Sequence, residues 1–211
     1  MLGPLEVEVA GRRLDLGSLV QRRVLAALLP HPDREVPLSR LVAAAWDGDP
    51  PATAARHHGD RAFDLYRRVD SRDGQAISLS TIGHHVISMG DPRQGLAYVR
   101  QALAMLEELG NMVVQISCWR SLGYAHRELG ELEQSASCLR RGLDIARELG
   151  DAPDEADLLA RLGDTHLAAG DPGAARAAWE ESLAVYDRLD HPEATGVRSK
   201  LDGLRVREDA T

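Results

Sequence analysis

The chain of 211 residues is poor in aromatic residues, in lysine and in positive charge. Aromatic side chains make up 4% of it, with one phenylalanine, so a core has to be built mainly from Leu, Ala and Val, a composition typical of helices. Lys200 is the only lysine. The formal net charge of -8 disfavours unaided nucleic-acid binding and contact with anionic membranes, because binding to phosphates normally needs a basic surface.

Cysteines and long apolar runs are also scarce. Cys118 and Cys138 lack a short CxxC spacing, which favours two reduced, buried thiols over a disulfide. No run approaches the roughly 18 apolar residues that a membrane-spanning helix needs. The segment from Met1 to Pro4 has neither the basic start nor the apolar stretch of a signal peptide. We therefore expect a cytoplasmic protein.

The chain does contain a repeat with a 40-residue period. Ile82-Gly83, Leu122-Gly123 and Leu162-Gly163 recur in step. In the second unit, apolar residues at three-and-four spacing predict helices over Met112–Leu129 and Glu133–Leu149, each followed by a glycine. A fixed period of this length is typical of a solenoid, a fold that usually binds rather than catalyses.

The repeat resembles a known family. Trp119-x-x-Leu122-Gly123, followed by Gly130, matches the first-helix pattern of the tetratricopeptide repeat. The resemblance implies a mainly α fold: a half-unit, three units and a terminal capping helix over residues 52–205, then a frayed tail at 206–211. The position where paired helices cross needs a small residue, and it is filled by Gly95, Ser135 and Ala175. The second helix also has a position for a large residue, filled by Val99, Leu139 and Trp179. We call these positions the small slot and the large slot.

The same resemblance implies a groove, lined by first helices, that holds a protein or peptide partner. Carried over by repeat slot, its residues are His84, Ile87, Ser88, Ser117, Arg120, Tyr124, Arg127, Asp157, Asp164 and Leu167. Tyr124 between two arginines would be an anchor, since Tyr and Arg are frequent in binding hot spots. An ordinary solvated face explains the same residues equally well.

Residues 1–50 predict a small α+β segment. A strand over Leu2–Val9 and a short return strand at Leu14–Leu16 precede helices Leu19–Leu29 and Leu38–Trp46. Three segments of this region resemble the winged-helix start of the Streptomyces antibiotic regulatory protein family of transcriptional activators. They are Leu2-Gly3-Pro4-Leu5-Glu6-Val7, Gln21-Arg22-Arg23-Val24-Leu25 and Leu41-Val42-x-x-x-Trp46.

That winged helix looks incomplete. In the family, an arginine-rich recognition helix and a β-hairpin wing follow at this point, whereas here the residues after Ala54 fall into the phase of the repeat. No GxxxxGK[ST] nucleotide-binding loop is present either. Base-reading residues in the major groove supply sequence specificity, so DNA binding by this chain alone is disfavoured.

The segment Ala54–Val69 has two alternative roles. As a poor recognition helix it would contact DNA through Arg56, Arg61, Arg67 and Arg68. As a repeat helix it would pack on Ser78–Ile87, which we favour because Phe63, Leu65 and Val69 keep the repeat phase.

Catalytic and metal sites are not indicated. His57-His58 and His84-His85 are adjacent pairs, and neighbouring residues on a helix point about 100° apart, which is unsuited to chelation. Asp154, Glu155 and Asp157 are interpreted as a capping and dipole cluster at a helix start. We predict no enzyme activity, no metal and no cofactor.

Two functions remain. The first is a non-catalytic regulator, related to activators of antibiotic biosynthesis, that works through protein contacts of its repeats. The second is a DNA-binding activator that acts as an oligomer. Self-association as a homodimer is a further prediction, because an incomplete winged-helix segment exposes a strand edge and a helix face that a full domain would cover.

Overall fold

The structure is a computed structural model that describes the backbone of residues 8–9, 12–13 and 54–209, and the side chains of residues 59–206. The chain divides into two compact units, Met1–Ala54 and Ala55–Thr211. In the first unit, β1 (Glu8–Val9) pairs antiparallel with β2 (Arg12–Arg13). The observed second strand, Arg12–Arg13, lies just before the predicted return strand Leu14–Leu16. The predicted strand Leu14–Leu16 and the two predicted helices lie outside the described residues.

Residues 54–209 form a series of helices. They are α1 (Ala54–Arg68), α2 (Arg72–Ser88), α3 (Pro92–Leu109), α4 (Met112–Glu128), α5 (Leu132–Leu149), α6 (Ala152–Ala168), α7 (Pro172–Arg188) and α8 (Ala194–Asp209). The closest packing joins α2 to α3, α4 to α5 and α6 to α7, so each 40-residue unit is one helix pair. The last helix continues to Asp209, into the segment expected to fray. None of the described helices is long and apolar enough to cross a membrane.

The same short turn separates the two helices of every unit. Gly90, Gly130 and Gly170 have positive φ angles of 90°, 75° and 78°, a conformation that glycine adopts without steric cost. The residue after the glycine caps the next helix: the carboxylates of Asp91 and Asp171 accept bonds from backbone amides three residues on, at 3.0 and 2.9 Å. The turns therefore fix where each helix begins and ends.

The second unit departs from this capping rule. Glu131 occupies the cap slot but makes no side-chain cap bond. Its carboxylate lies 2.6 Å from Nδ1 of His126, which is buried in the core of the same unit. The longer side chain thus satisfies a buried imidazole instead of a helix end.

Glycines in the first helices let the paired helices cross closely. A Cβ at Gly123 would lie 2.7 Å from the side chain of Leu139, and one at Gly163 would overlap the indole of Trp179. Leu139 and Trp179 are both 2% exposed. Leu139 and Trp179 of the predicted large slot therefore pack in the core against the glycines of the first helices. Ser135 and Ala175 of the predicted small slot are both 0% exposed.

Helix α1 belongs to the same stack. Phe63 packs against the first core cluster, and Gly59 approaches Ile82 of α2. Leu65 and Val69, which also keep the repeat phase, are instead 58% and 71% exposed. Burial requires a facing element as well as the correct period, and the described residues place none against Leu65 and Val69.

Candidate functional site

Arg120 of α4 forms the centre of a polar cluster that joins two first helices. Its Nη1 donates to Asp154 at 2.7 Å and to Asp157 at 3.3 Å, both on α6. Its Nη2 donates to Ser117 Oγ at 3.2 Å. Arg161 adds Nε bonds of 3.0 and 2.9 Å to the two oxygens of Asp157. The predicted residues Ser117, Arg120 and Asp157 are thus brought together on adjacent helices.

A second cluster surrounds Asp164. Lys200 of α8 donates to its two carboxylate oxygens at 2.6 and 2.9 Å, and Arg127 of α4 approaches at 3.5 Å. The indole Nε1 of Trp179 lies 3.2 Å from the same carboxylate. The guanidinium carbon of Arg127 lies 5.6 Å from the ring centroid of Tyr124, within cation–π range. We call the surface formed by these two clusters the cross-helix face.

His84 extends the cross-helix face to α2. Its Nδ1 lies 3.5 Å from the hydroxyl of Ser121 on α4. Burial, followed by the nearby charges of His85, Arg120 and Arg161, lowers the pKa of His84 below 6.5. The imidazole is therefore neutral near pH 7 and adds no charge to this end of the face.

Three predicted groove residues differ in what they offer a partner. Ser88 is exposed, and its hydroxyl donates to the carbonyl of His84 at 3.0 Å. Leu167 is half-buried and packs on the core cluster that contains Trp179. Ile87 is 3% exposed and packs against Gly95, so it belongs to the core and presents no surface to a groove.

The candidate DNA contacts lie on α1. Arg61, Arg67 and Arg68 are exposed, and Nη2 of Arg67 lies 3.7 Å from the carboxylate of Asp64. The side chain of Arg56 lies outside the described residues. Because Phe63 on the same helix packs into the repeat core, the arginines project from a helix that already has a structural role.

Asp154, Arg161 and Lys200 are members of the site that the sequence did not identify. Asp154 lies with Glu155 in the first turn of α6, where acidic side chains favour the helix dipole as expected. The residue that caps α6 is Asp151, whose carboxylate accepts from the amide of Asp154 at 3.2 Å. The spacing of Asp157 and Arg161, four residues apart on a helix, could have indicated their ion pair. Lys200 lies on the terminal capping helix, which is not part of a full repeat unit, so the repeat pattern could not predict its role.

Several titratable groups lie close together without forming a metal site. Within residues 59–206, no three His, Cys, Asp or Glu side chains are arranged to hold an ion. The His84 and His85 rings meet edge to face at 5.8 Å. Cys118 donates to Ser80 Oγ at 3.4 Å, and burial raises its thiol pKa above 9.0.

The geometry of α4 to α7 can be compared with known proteins. The family model of the tetratricopeptide repeat matches residues 115–188. This match covers the second and third units, including both clusters of the cross-helix face apart from Lys200. Tetratricopeptide repeats generally mediate protein–protein interactions.

Two further likenesses, to a regulatory protein and to a solved structure, each cover part of the chain. Over 96 residues it is 35% identical to the transcriptional regulatory protein MoaR1 of Mycobacterium bovis and of Mycobacterium tuberculosis, a match that covers 44% of this chain. The match spans 31% of the length of those relatives. The crystal structure of BtubC (BKLC) from P. vanneervenii superposes with a TM-score of 0.64 at 18% identity, over 76% of this chain and 68% of that one, which shows a shared fold.

Proposed function

We propose that the protein is a non-catalytic regulator that acts through contacts between its repeats and a protein partner. The observation that carries this proposal is the cross-helix face, where α4, α6 and α8 contribute charged side chains held in place by mutual bonds. Arg120 and Arg127 are fixed by carboxylates, so they present donors whose side-chain entropy is already partly lost. A preorganised polar surface beside Tyr124 favours binding.

The regulatory part of the proposal comes from the comparisons. The partial likeness to a transcriptional regulatory protein supports a role in regulation, and the tetratricopeptide match supports a protein partner. The three segments of residues 1–50 that resemble the Streptomyces antibiotic regulatory protein family support a relationship with activators of antibiotic biosynthesis. We place the protein in the cytoplasm.

Selection of random short peptides displayed on phage, with the immobilised full chain as target, tests this proposal. The best peptide is then measured by fluorescence anisotropy against Tyr124→Ala and Arg127→Gln. Each variant should weaken binding by about thirtyfold or more, because hot-spot truncations typically cost about 2 kcal/mol or more. Arg140→Gln, an exposed position of α5 outside the cross-helix face, serves as control. Failure to enrich any peptide, or equal weakening by Arg140→Gln, would contradict the proposal.

The alternative is a DNA-binding activator that works as an oligomer. The name of the partial relative favours it, whereas the net charge of -8 opposes it. A gel shift at low and moderate salt separates the two functions, because non-specific phosphate contacts weaken steeply with salt. Salt-resistant binding to a defined site would replace our proposal with this one. Light scattering tests the oligomer, and a monomer at high protein concentration would count against it.

A further inference from the structure

Between α6, the end of α7 and α8 lies a cavity of about 220 Å³ next to the cross-helix face. Its polar walls include Asp157, Arg161, Asp164, Glu193 and Lys200. Three carboxylates thus face two cations. The cavity also contains one side chain, Tyr186, that comes from a second helix of the repeat rather than from a first helix.

Tyr186 is the unusual member of this cavity. The residue is 3% exposed, and its ring stacks on His191 at a centroid distance of 4.9 Å. Within residues 59–206, no side chain or backbone group bonds to the Tyr186 hydroxyl. No fully buried side-chain nitrogen or oxygen among these residues lacks a partner, so the hydroxyl oxygen is open to the cavity that it lines. The ring is therefore held firmly while its polar end remains available to a ligand.

The other polar groups of the cavity are largely used. Arg161 bonds to Asp157, and Lys200 bonds to Asp164. Glu193 has no ion pair with any of the described residues. Two groups are consequently left to meet a ligand: one carboxylate and one neutral hydroxyl.

The local potential favours a positive ligand. Burial and then the carboxylates of Asp157 and Glu193 raise the pKa of Tyr186 to about 12, against the opposing influence of Arg161 and Arg120. Negative charge therefore outweighs positive charge at this hydroxyl, although two arginines lie nearby. A guanidinium or ammonium group could bond to the Tyr186 oxygen and pair with Glu193 at once.

We propose that this cavity receives a basic side chain, arginine or lysine, of the partner that binds the cross-helix face. The inference rests on the proposed function and assigns the chemistry of one contact within it. Asp157 and Asp164 are shared by the cavity and the face, so a segment bound on the face would pass the mouth of the cavity.

The test uses a probe that needs no partner. N-acetyl-arginine methylamide is titrated into the isotope-labelled full chain at low salt and followed by amide chemical shifts. Shifts should concentrate at the cavity wall, at Gly196 and Val197. The citrulline and glutamate derivatives should produce none there, since the first lacks the charge and the second reverses it. An equal response to citrulline, or arginine shifts located elsewhere, overturns the proposal.

Two variants separate the proposed contacts from a general change in fold. Tyr186→Phe removes only the hydroxyl and should weaken the arginine probe about fivefold, and Glu193→Gln should weaken it by a similar factor. Glu180→Gln, at an exposed position of α7, is the matched control and should leave the affinity unchanged. If Tyr186→Phe and Glu193→Gln bind the probe as the wild type does, the assignment is wrong.

The outcome is independent of the peptide selection. Failure of the arginine titration while selected peptides still depend on Tyr124 and Arg127 would remove the cavity assignment and leave the proposed function intact. Binding of the arginine probe with no peptide enriched would support the affinity of the cavity for a basic side chain and contradict the proposed function.

Discussion

Arg120 and Asp154 join consecutive repeat units through a hydrogen-bonded ion pair of 2.7 Å. Their side chains are 27% and 28% exposed, so solvent screens the pair only in part. Arg72 and Glu108 pair at the same 2.7 Å, but with exposures of 54% and 63%. The two pairs differ in burial and not in distance, which makes them a natural comparison for the cost of losing each one.

Arg120→Gln should therefore lower the free energy of unfolding by about 1–2 kcal/mol, because it leaves partly buried carboxylates with fewer donors. Arg72→Gln should cost about 0–0.5 kcal/mol, as exposed pairs do. Urea denaturation followed by circular dichroism measures both. Equal losses in the two variants would show that burial of the Arg120 pair has no special weight.

Gly163→Ala tests the close crossing of α6 and α7. The added methyl would overlap the indole of Trp179, whose Nε1 is also bonded to the carbonyl of Ala160 at 3.0 Å. We expect a loss of about 1–3 kcal/mol, as for other overpacked cores. The matched control is Gly203→Ala on α8, where a Cβ meets nothing within 4 Å. That variant should be more stable by about 0.5–1 kcal/mol because alanine favours a helix.

If Gly163→Ala proved as stable as the wild type in urea denaturation, α6 and α7 would have to move apart at little cost, unlike the elements of a tightly packed core. A decrease in both variants would instead indicate that the backbone at these positions needs glycine.

The core of the repeats could be predicted because each contact recurs. Gly123 with Leu139 and Gly163 with Trp179 occupy the same slots 40 residues apart, so the sequence states the contact more than once. The repeat slot of Ile87 predicts a groove residue, and the apolar pattern alone cannot correct this because it does not distinguish the faces of a first helix. In a solenoid such a helix is packed on several sides, and its apolar stripe is correspondingly wide.

The candidate site was less predictable because its bonds do not repeat. Lys200 pairs with Asp164, yet it lies on α8, and the residue one period earlier is Ala160. The Arg120 bonds depend on how far α6 lies from α4, which local sequence does not determine. Tyr186 was missed for a related reason, since its slot on a second helix predicts a core residue and its ring is indeed buried.

His84 should titrate below its ordinary pKa of 6.5, mainly because of burial and in smaller part because of His85, Arg120 and Arg161. A lowered pKa in the folded state means that the unfolded chain binds the proton more readily. His84 therefore reduces stability as the pH falls below 6.5 through its folded pKa. The imidazole proton signals in NMR, assigned with His84→Gln, give the midpoint.

Arg120→Gln should move the His84 midpoint upward, because one of the opposing positive charges is removed. His85 provides an internal control, since burial alone lowers its pKa. Arg72→Gln should move neither midpoint. A His84 midpoint at 6.5, or a downward shift in Arg120→Gln, would contradict this account of the cross-helix face.

Tyr186 should release its proton only near pH 12, because burial first, and then the carboxylates of Asp157 and Glu193, raise its pKa from 10.0 to about 12. Its contribution to stability is complete below pH 10, where the unfolded chain is also protonated, and is lost as the pH rises towards 12. Subtracting the tyrosinate absorbance of Tyr186→Phe from that of the wild type isolates this titration. Glu193→Gln should lower its midpoint, whereas Glu180→Gln should not. A wild-type midpoint at 10.0 would mean that the hydroxyl is solvated as in a free tyrosine, and that the cavity does not hold it between negative charges.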